Sequence, residues 1–284
     1  MKYLCKFAAL IFLAGFFVSF VSCSTDESKP EDFKTLDDAQ TALDESQDEV
    51  FISLEELSSV ANVAATFDGT YPGDFVLFKT NRSKALSKKQ SPHSFGYNSQ
   101  TGYWTFDSTA SDQGLTYSLS GRIKFTPHDF AGLPDETTNT MEYKVMASLN
   151  ETVGEEFIDL SYDADMNVSG IAGFRAQTGN ATINGSNKVS FSLDLTLDTD
   201  HIVANYDHAY KANNVVIDPT STYPQSGTFD FTIKRDYNIA DYGVNFYIQG
   251  TITFDGTNIA VLEFGGYTFH INLDGPYIVE FIQA

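Results

Sequence analysis

From about Tyr71 to the C-terminus the apolar residues recur at every second position, and a chain patterned that way has few choices besides antiparallel sheet. Phe229, Phe231 and Ile233 alternate with Asp230, Thr232 and Lys234. Val244, Phe246 and Ile248 alternate with Asn245, Tyr247 and Gln249, and Phe269, Ile271 and Leu273 stand opposite Thr268, His270 and Asn272. Successive side chains of a strand point to opposite faces, so this alternation marks one buried and one wetter face. Asn184-Gly185, Asp255-Gly256, Gly265-Gly266 and Asp274-Gly275 separate the runs with pairs that tolerate positive φ, as tight hairpin turns require. The runs DFVLF, GYWTF, LTYSLSGRIKF, MEYKVMASL and EEFIDLSY add further strands, for eleven or twelve in all. Residues 211–226, KANNVVIDPTSTYPQS, read as a loop break between two halves of one domain. The expected fold class is all-β: an antiparallel meander over residues 66–284, as a curved sheet or open barrel or as a two-layer sandwich. Charged residues on many strands argue against a membrane-spanning barrel.

A different period precedes the strands. Leu43, Val50, Leu54, Leu57, Ala61 and Ala64 fall on one face of a helix expected over residues 43–65, with acids around the rest. Ser46-Gln47-Asp48-Glu49 reads as its capping box, and Thr35-Leu36-Asp37-Asp38 as a weaker one for an earlier turn. The apolar stripe covers only about three heptads, so it is expected to pack on the sheet rather than in a coiled coil.

The first residues are an address. Lys2 and Lys6 precede FAALIFLAGFFVSFVS, an uncharged run over 7–22. As a helix it rises about 24 Å, short of the roughly 30 Å of a bilayer core, and it suits a signal-peptide h-region. Val21-Ser22-Cys23 resembles the lipobox of bacterial lipoproteins, with Phe20 where that family commonly has Leu. The resemblance implies cleavage before Cys23, a diacylglyceryl thioether on its sulfur and acylation of the new amino group. The following Ser24-Thr25-Asp26-Glu27-Ser28 resembles the short acidic export signal of surface lipoproteins of Bacteroidota. Together these resemblances imply an outer-membrane protein of a Gram-negative-type cell envelope, lipid-anchored and facing the periplasm or the outside. With Cys5 removed, Cys23 is the only cysteine left for that chemistry, and an acidic tether over 23–42 follows it.

The charge balance narrows the partners. There are 17 basic and 38 acidic residues, a net charge of −21. Twelve of the acids lie in residues 24–57 against Lys29 and Lys34. A chain this negative repels nucleic-acid backbones and anionic surfaces, so no nucleic-acid partner is expected. Against that background Lys79, Arg82, Lys84, Lys88 and Lys89 form a basic loop suited to anionic glycans or lipid headgroups. Tyr97, Tyr103 and Trp104, around the only tryptophan, are the candidate ligand-binding aromatics, because such rings stack on sugars while their polar tips stay wet. Asp163, Asp165 and Asn167 have oxygen-ligand spacing for calcium in an acidic turn. Val168 and Phe174 stand where an EF-hand has Gly and Glu, so the turn is not one. The five histidines lack metal-ligand spacing, and nucleophile elbows, phosphate loops and dinucleotide fingerprints are all missing. No cofactor is expected beyond the lipid on Cys23. The sequence points to a non-catalytic binding module of the envelope. A carrier for an apolar ligand with the helix as plug is the alternative, and an envelope hydrolase comes third.

Overall fold

The computed structural model describes residues 33–70, 94–112, 114–197, 200–239, 242–274 and 278–282. The signal segment, Cys23, the first part of the tether, the DFVLF run and the basic loop lie outside the described residues.

Twelve strands form one open sheet in strict sequence order: β1 (Ser94–Asn98), β2 (Tyr103–Asp112), β3 (Leu115–Thr126), β4 (Thr140–Val153), β5 (Glu156–Ser169), β6 (Ala181–Leu197), β7 (Asp200–Ile217), β8 (Ser226–Ile239), β9 (Tyr242–Thr253), β10 (Ile259–Phe264), β11 (Tyr267–Asn272) and β12 (Ile278–Ile282). All pairings are antiparallel. The meander is therefore as expected, and a single sheet takes the place of the two-layer sandwich. Gly265-Gly266 makes the two-residue turn between β10 and β11 with φ of +57° and +82°, the backbone that a two-residue hairpin needs.

Two sequence signals for chain breaks turn out to be bulges. Asn184-Gly185 does not end a strand, because β6 runs through it for 17 residues. Likewise β7 continues to Ile217, so the expected loop break shrinks to the segment between Ile217 and Ser226. Gly185, Asn214 and Gly227 have φ of +146°, +51° and +103° and sit where the β6–β7 and β7–β8 registers shift. An extra residue in one strand kinks the ladder without ending it, so the three residues form one fault line across three strands. A Cβ on Gly185 would lie 2.3 Å from the Asp165 carbonyl oxygen, and one on Gly227 as close to that of Asn214.

Three helices complete the fold: α1 (Leu36–Asp44), α2 (Gln47–Thr66) and the short α3 (Ile171–Arg175) between β5 and β6. The helix expected over 43–65 is thus two helices, and α1 lies where a tether was expected. The caps also exchange roles. Thr35 accepts a hydrogen bond from the Asp38 N–H and caps α1, whereas the Ser46 hydroxyl donates back to the Ala42 carbonyl, 2.8 Å away. Ser46 is fully buried in the joint between the helices, so its hydroxyl turns toward α1 and does not cap α2.

The helical segment crosses the strands in descending order. Phe33 stacks on Phe264 of β10 at 5.4 Å, and Arg235 of β8 meets Glu49. His208 of β7 faces Ser53, Tyr162 of β5 and Asn187 of β6 meet Glu56, and Phe67 packs on Trp104 and Phe125 of β2 and β3. The stripe of Val50, Leu57, Ala61 and Ala64 is buried against the sheet along that path, while Leu54 is only half-buried.

Gly266 and Gly185 separate strain from clash. Nothing lies near a Cβ on Gly266, so Gly266→Ala is expected to lose only the positive-φ penalty of about 1–2 kcal/mol. Gly185→Ala adds a collision with β5 backbone and should lower the urea midpoint clearly further at unchanged slope. Equal midpoints for the two variants would contradict the fault line.

Candidate functional site

Two polar assemblies stand out, one on each face of the sheet. The first is a seam between α2 and the covered face. Its residues occupy inward strand positions otherwise given to Phe, Ile and Val: Arg235 follows Phe229, Phe231 and Ile233 in the same alternation. Arg235 Nη2 donates to Glu49 Oε1 at 2.5 Å and to the Glu45 carbonyl at 3.1 Å, and its guanidinium lies 5.2 Å from the Phe246 ring centre. One turn along α2, Ser53 Oγ is 3.4 Å from His208 Nε2. Another turn on, the Glu56 carboxylate accepts from the Tyr162 hydroxyl and the Asn187 amide.

Burial sets the electrostatics of the seam. It raises the Glu56 pKa, which the hydrogen bonds from Tyr162 and Asn187 pull back down. It also pushes the Tyr162, Tyr206 and Tyr210 hydroxyls well above the ordinary tyrosine value. For His208, burial first and the neighbouring Arg235 charge second lower the pKa to about 4. The seam is a set of fixed, solvent-shielded contacts that hold one helix in one register.

The second assembly is a groove on the outward face. Cross-strand partners Lys144, Asp165, Ser186, Lys211 and Asp230 form one row across β4–β8. Beside it runs a second row of Asp163, Lys188, Ala209 and Thr232. The two rows enclose a groove of about 530 Å³. Its floor is low because Ser186 and Ala209 are small, and its walls are charged. Lys144 Nζ pairs with Asp165 Oδ2 at 2.9 Å and Lys188 Nζ with Asp207 Oδ1 at 3.2 Å. Asp230 accepts from Asn213 Nδ2 at 2.7 Å and from Thr251 Oγ1 at 2.8 Å. Asn213 continues the outward alternation of Ala209 and Lys211 and is the last residue before the register shift to β8, so the fault line borders one wall of the groove.

The residues singled out from sequence do not gather at one place. Tyr97 and Trp104 are cross-strand partners on the covered face, while Tyr103, one residue before Trp104, points outward. Trp104 stacks on Phe95 at 5.2 Å and donates from Nε1 to the Gly132 carbonyl at 2.9 Å. Tyr103 donates its hydroxyl to Glu142 at 2.6 Å, with the Arg122 and Lys124 cations 4.9 and 5.1 Å from its ring centre. Asp163, Asp165 and Asn167 stand at successive outward positions inside β5, not in a turn. Such positions are about 6.7 Å apart along a strand, and Asp165 already holds Lys144. Among the described residues no group of three or more His, Cys, Asp or Glu side chains gathers as a metal site. His201 pairs with Asp194 at 2.8 Å on the outward face, opposite the face that buries His208.

Two signals for the seam were present in the sequence. Arg235 and His208 break their apolar alternation at inward positions, and Glu49 and Glu56 flank the stripe seven residues apart. Comparison with known proteins finds no matching family model, no matching curated protein and no matching solved structure.

His208 makes stability depend on pH. Its folded pKa of about 4 lies below the ordinary value of 6.5, so between these the unfolded chain takes up a proton that the folded chain refuses. Its contribution is whole above pH 6.5 and is lost as pH falls toward 4, by on the order of 3 kcal/mol. Glu56, raised, acts oppositely over the acid range. In urea melts at pH 7 and pH 5, His208→Leu should therefore lose less stability on acidification than the parent chain. An identical pH dependence in both would remove His208 from the account.

Proposed function

We propose that the protein is a lipid-anchored, non-catalytic binding module of the cell envelope that takes a polar ligand in the groove across β4–β8. The observation that carries this reading is the groove itself: a concave, charged surface with a floor of small side chains on an ordered sheet. Its size falls within the range of about 300–1,000 Å³ of small-ligand sites. A binding surface on strands is held by the ladder hydrogen bonds of its neighbours, and here also by Asn213 and Thr251 behind Asp230.

The helix supports the same choice of face. Val50, Leu57, Val60 and Ala61 already occupy the covered side, where an apolar cargo would otherwise sit. Displacing them would return about 1.5–3 kcal/mol of burial per large side chain to water. The anchor belongs to the reading through the lipobox resemblance at Cys23, and a tether ahead of α1 would hold the sheet near a membrane surface.

Two measurements test the halves of the proposal separately. A fatty-acid probe fed to cells should label the wild-type chain and not Cys23→Ala; equal labelling removes the anchor. In amide NMR titrations with a panel of sugars, amino acids and phosphorylated headgroups, ligand shifts should fall on outward positions of β4–β8. They should vanish in Ala209→Trp, which fills the groove floor. Shifts that persist in that variant, or that map to α2, would move the ligand elsewhere.

A further inference from the structure

The charges lining the groove are three lysines, Lys144, Lys188 and Lys211, and three aspartates, Asp163, Asp165 and Asp230. The site is therefore neutral inside a chain of net charge −21. A polyanion meets the field of the whole chain and gains no local excess of cations in return, and a polycation meets three lysines. A ligand of zero net charge fits both conditions.

Which zero-charge ligand fits is set by the groups already in use. Lys144 is paired with Asp165 and Lys188 with Asp207, while Asp230 is held by Asn213 and Thr251. That leaves Asp163 and Lys211, both exposed. Neither makes a close ion pair or a side-chain hydrogen bond among the described residues, although the Asp163 charge is felt at Lys144. Asp163 stands opposite Lys188 on the near side of the floor, and Lys211 stands beyond Ser186 on the far side. Two strand spacings and two residue steps put their backbones about 12 Å apart. The long lysine stem and a small ligand divide that span.

Resting on the groove as the ligand site, we infer that the ligand is a soluble zwitterion, its ammonium on Asp163 and its phosphate or carboxylate on Lys211. Ser186, on the strand between them, supplies a hydroxyl between the two poles. A single exposed ion pair contributes little. Two poles engaged at once raise affinity without any long-range attraction, and a dissociation constant on the order of 0.1–1 mM is expected.

The experiment is an NMR titration of the full-length chain with four probes: sn-glycero-3-phosphoethanolamine, its two halves glycerol 3-phosphate and ethanolamine, and neutral cellotetraose. Alanylalanine as a fifth probe tells a carboxylate from a phosphate, the tighter zwitterion naming the anion. The better zwitterion should bind about tenfold more tightly than either half. Lys211→Met should erase its advantage over ethanolamine, and Asp163→Asn its advantage over glycerol 3-phosphate. Lys234→Met, whose ammonium sits on the Tyr247 ring outside the groove, should change nothing. Halves that bind as well as the zwitterions, or zwitterion affinity unmoved in both groove variants, would overturn the inference. Cellotetraose bound more tightly than either zwitterion, and lost in Ala209→Trp, would also overturn it while leaving the groove as the site. If no probe shifts a groove resonance, the inference and the groove reading fall together.

Discussion

An open sheet of twelve strands has an apolar face too broad to leave to water, and the burial of α2 across it is the contact on which the rest depends. The long strands β6 and β7 extend far beyond what any two-stranded pairing would hold alone. What turns the ladder into a core is the line of Val50, Leu57, Val60, Ala61 and Ala64 laid across it. Phe33 and Phe67 fasten that line at opposite ends, on β10 and on β2–β3. Apolar contact sets how strongly the helix is held but says little about where. The seam says where: two glutamates seven residues apart meet Arg235 on one side and Tyr162 with Asn187 on the other. A buried ion pair is weak evidence for stability, yet removing one partner leaves an uncompensated charge at a cost of about 3–5 kcal/mol. The seam therefore penalises every other register of the helix more than it strengthens the native one.

The alternation that exposes the fold in the sequence does not by itself distinguish a turn from a bulge. Period two identifies strands and faces, so the meander, its neighbour-to-neighbour pairing and the outward position of His270 follow from local pattern. A bulge keeps the local chemistry of a turn while the strand goes on. Asn184-Gly185 therefore carried a genuine positive-φ signal whose consequence depended on β5 and β7 lying alongside. The same holds for Ser46, whose capping pattern is intact but whose hydroxyl is turned back by burial. Local sequence states what a backbone tolerates; only the neighbours decide which tolerance is used.

The groove is less legible in the sequence for a related reason. Its six charged residues come from five strands, and none is unusual for a solvated strand face. Asp163 and Asp165 have the spacing of calcium ligands, but their neighbours across the ladder, Lys144 and Lys188, give them a different meaning. Tyr103 and Trp104 are adjacent in sequence, and adjacency along a strand guarantees opposite faces. What a sequence cannot give without the register is which charges stand opposite one another. Once the register is known, the pairing of Lys144 with Asp165 and the isolation of Lys211 follow from counting strands.

The distribution of basic residues joins the two faces into one design. Arg122, Lys124, Lys144, Lys188, Lys211 and Lys234 all project outward from β3–β8, and among the strand residues described Arg235 is the one lysine or arginine on the inward side, beside the imidazole of His208. Inside, the one guanidinium pairs with Glu49 and its charge also reaches Glu45, whereas Glu56 is held by neutral donors. Outside, the lysines are numerous enough to cancel the aspartates between them. The acid excess of the chain is thereby relieved over the middle of the sheet, where the floor is lowest. A neutral window in a strongly negative protein is the setting that the proposed zwitterion requires, and the ladder that builds it is the same one that α2 holds in place from behind.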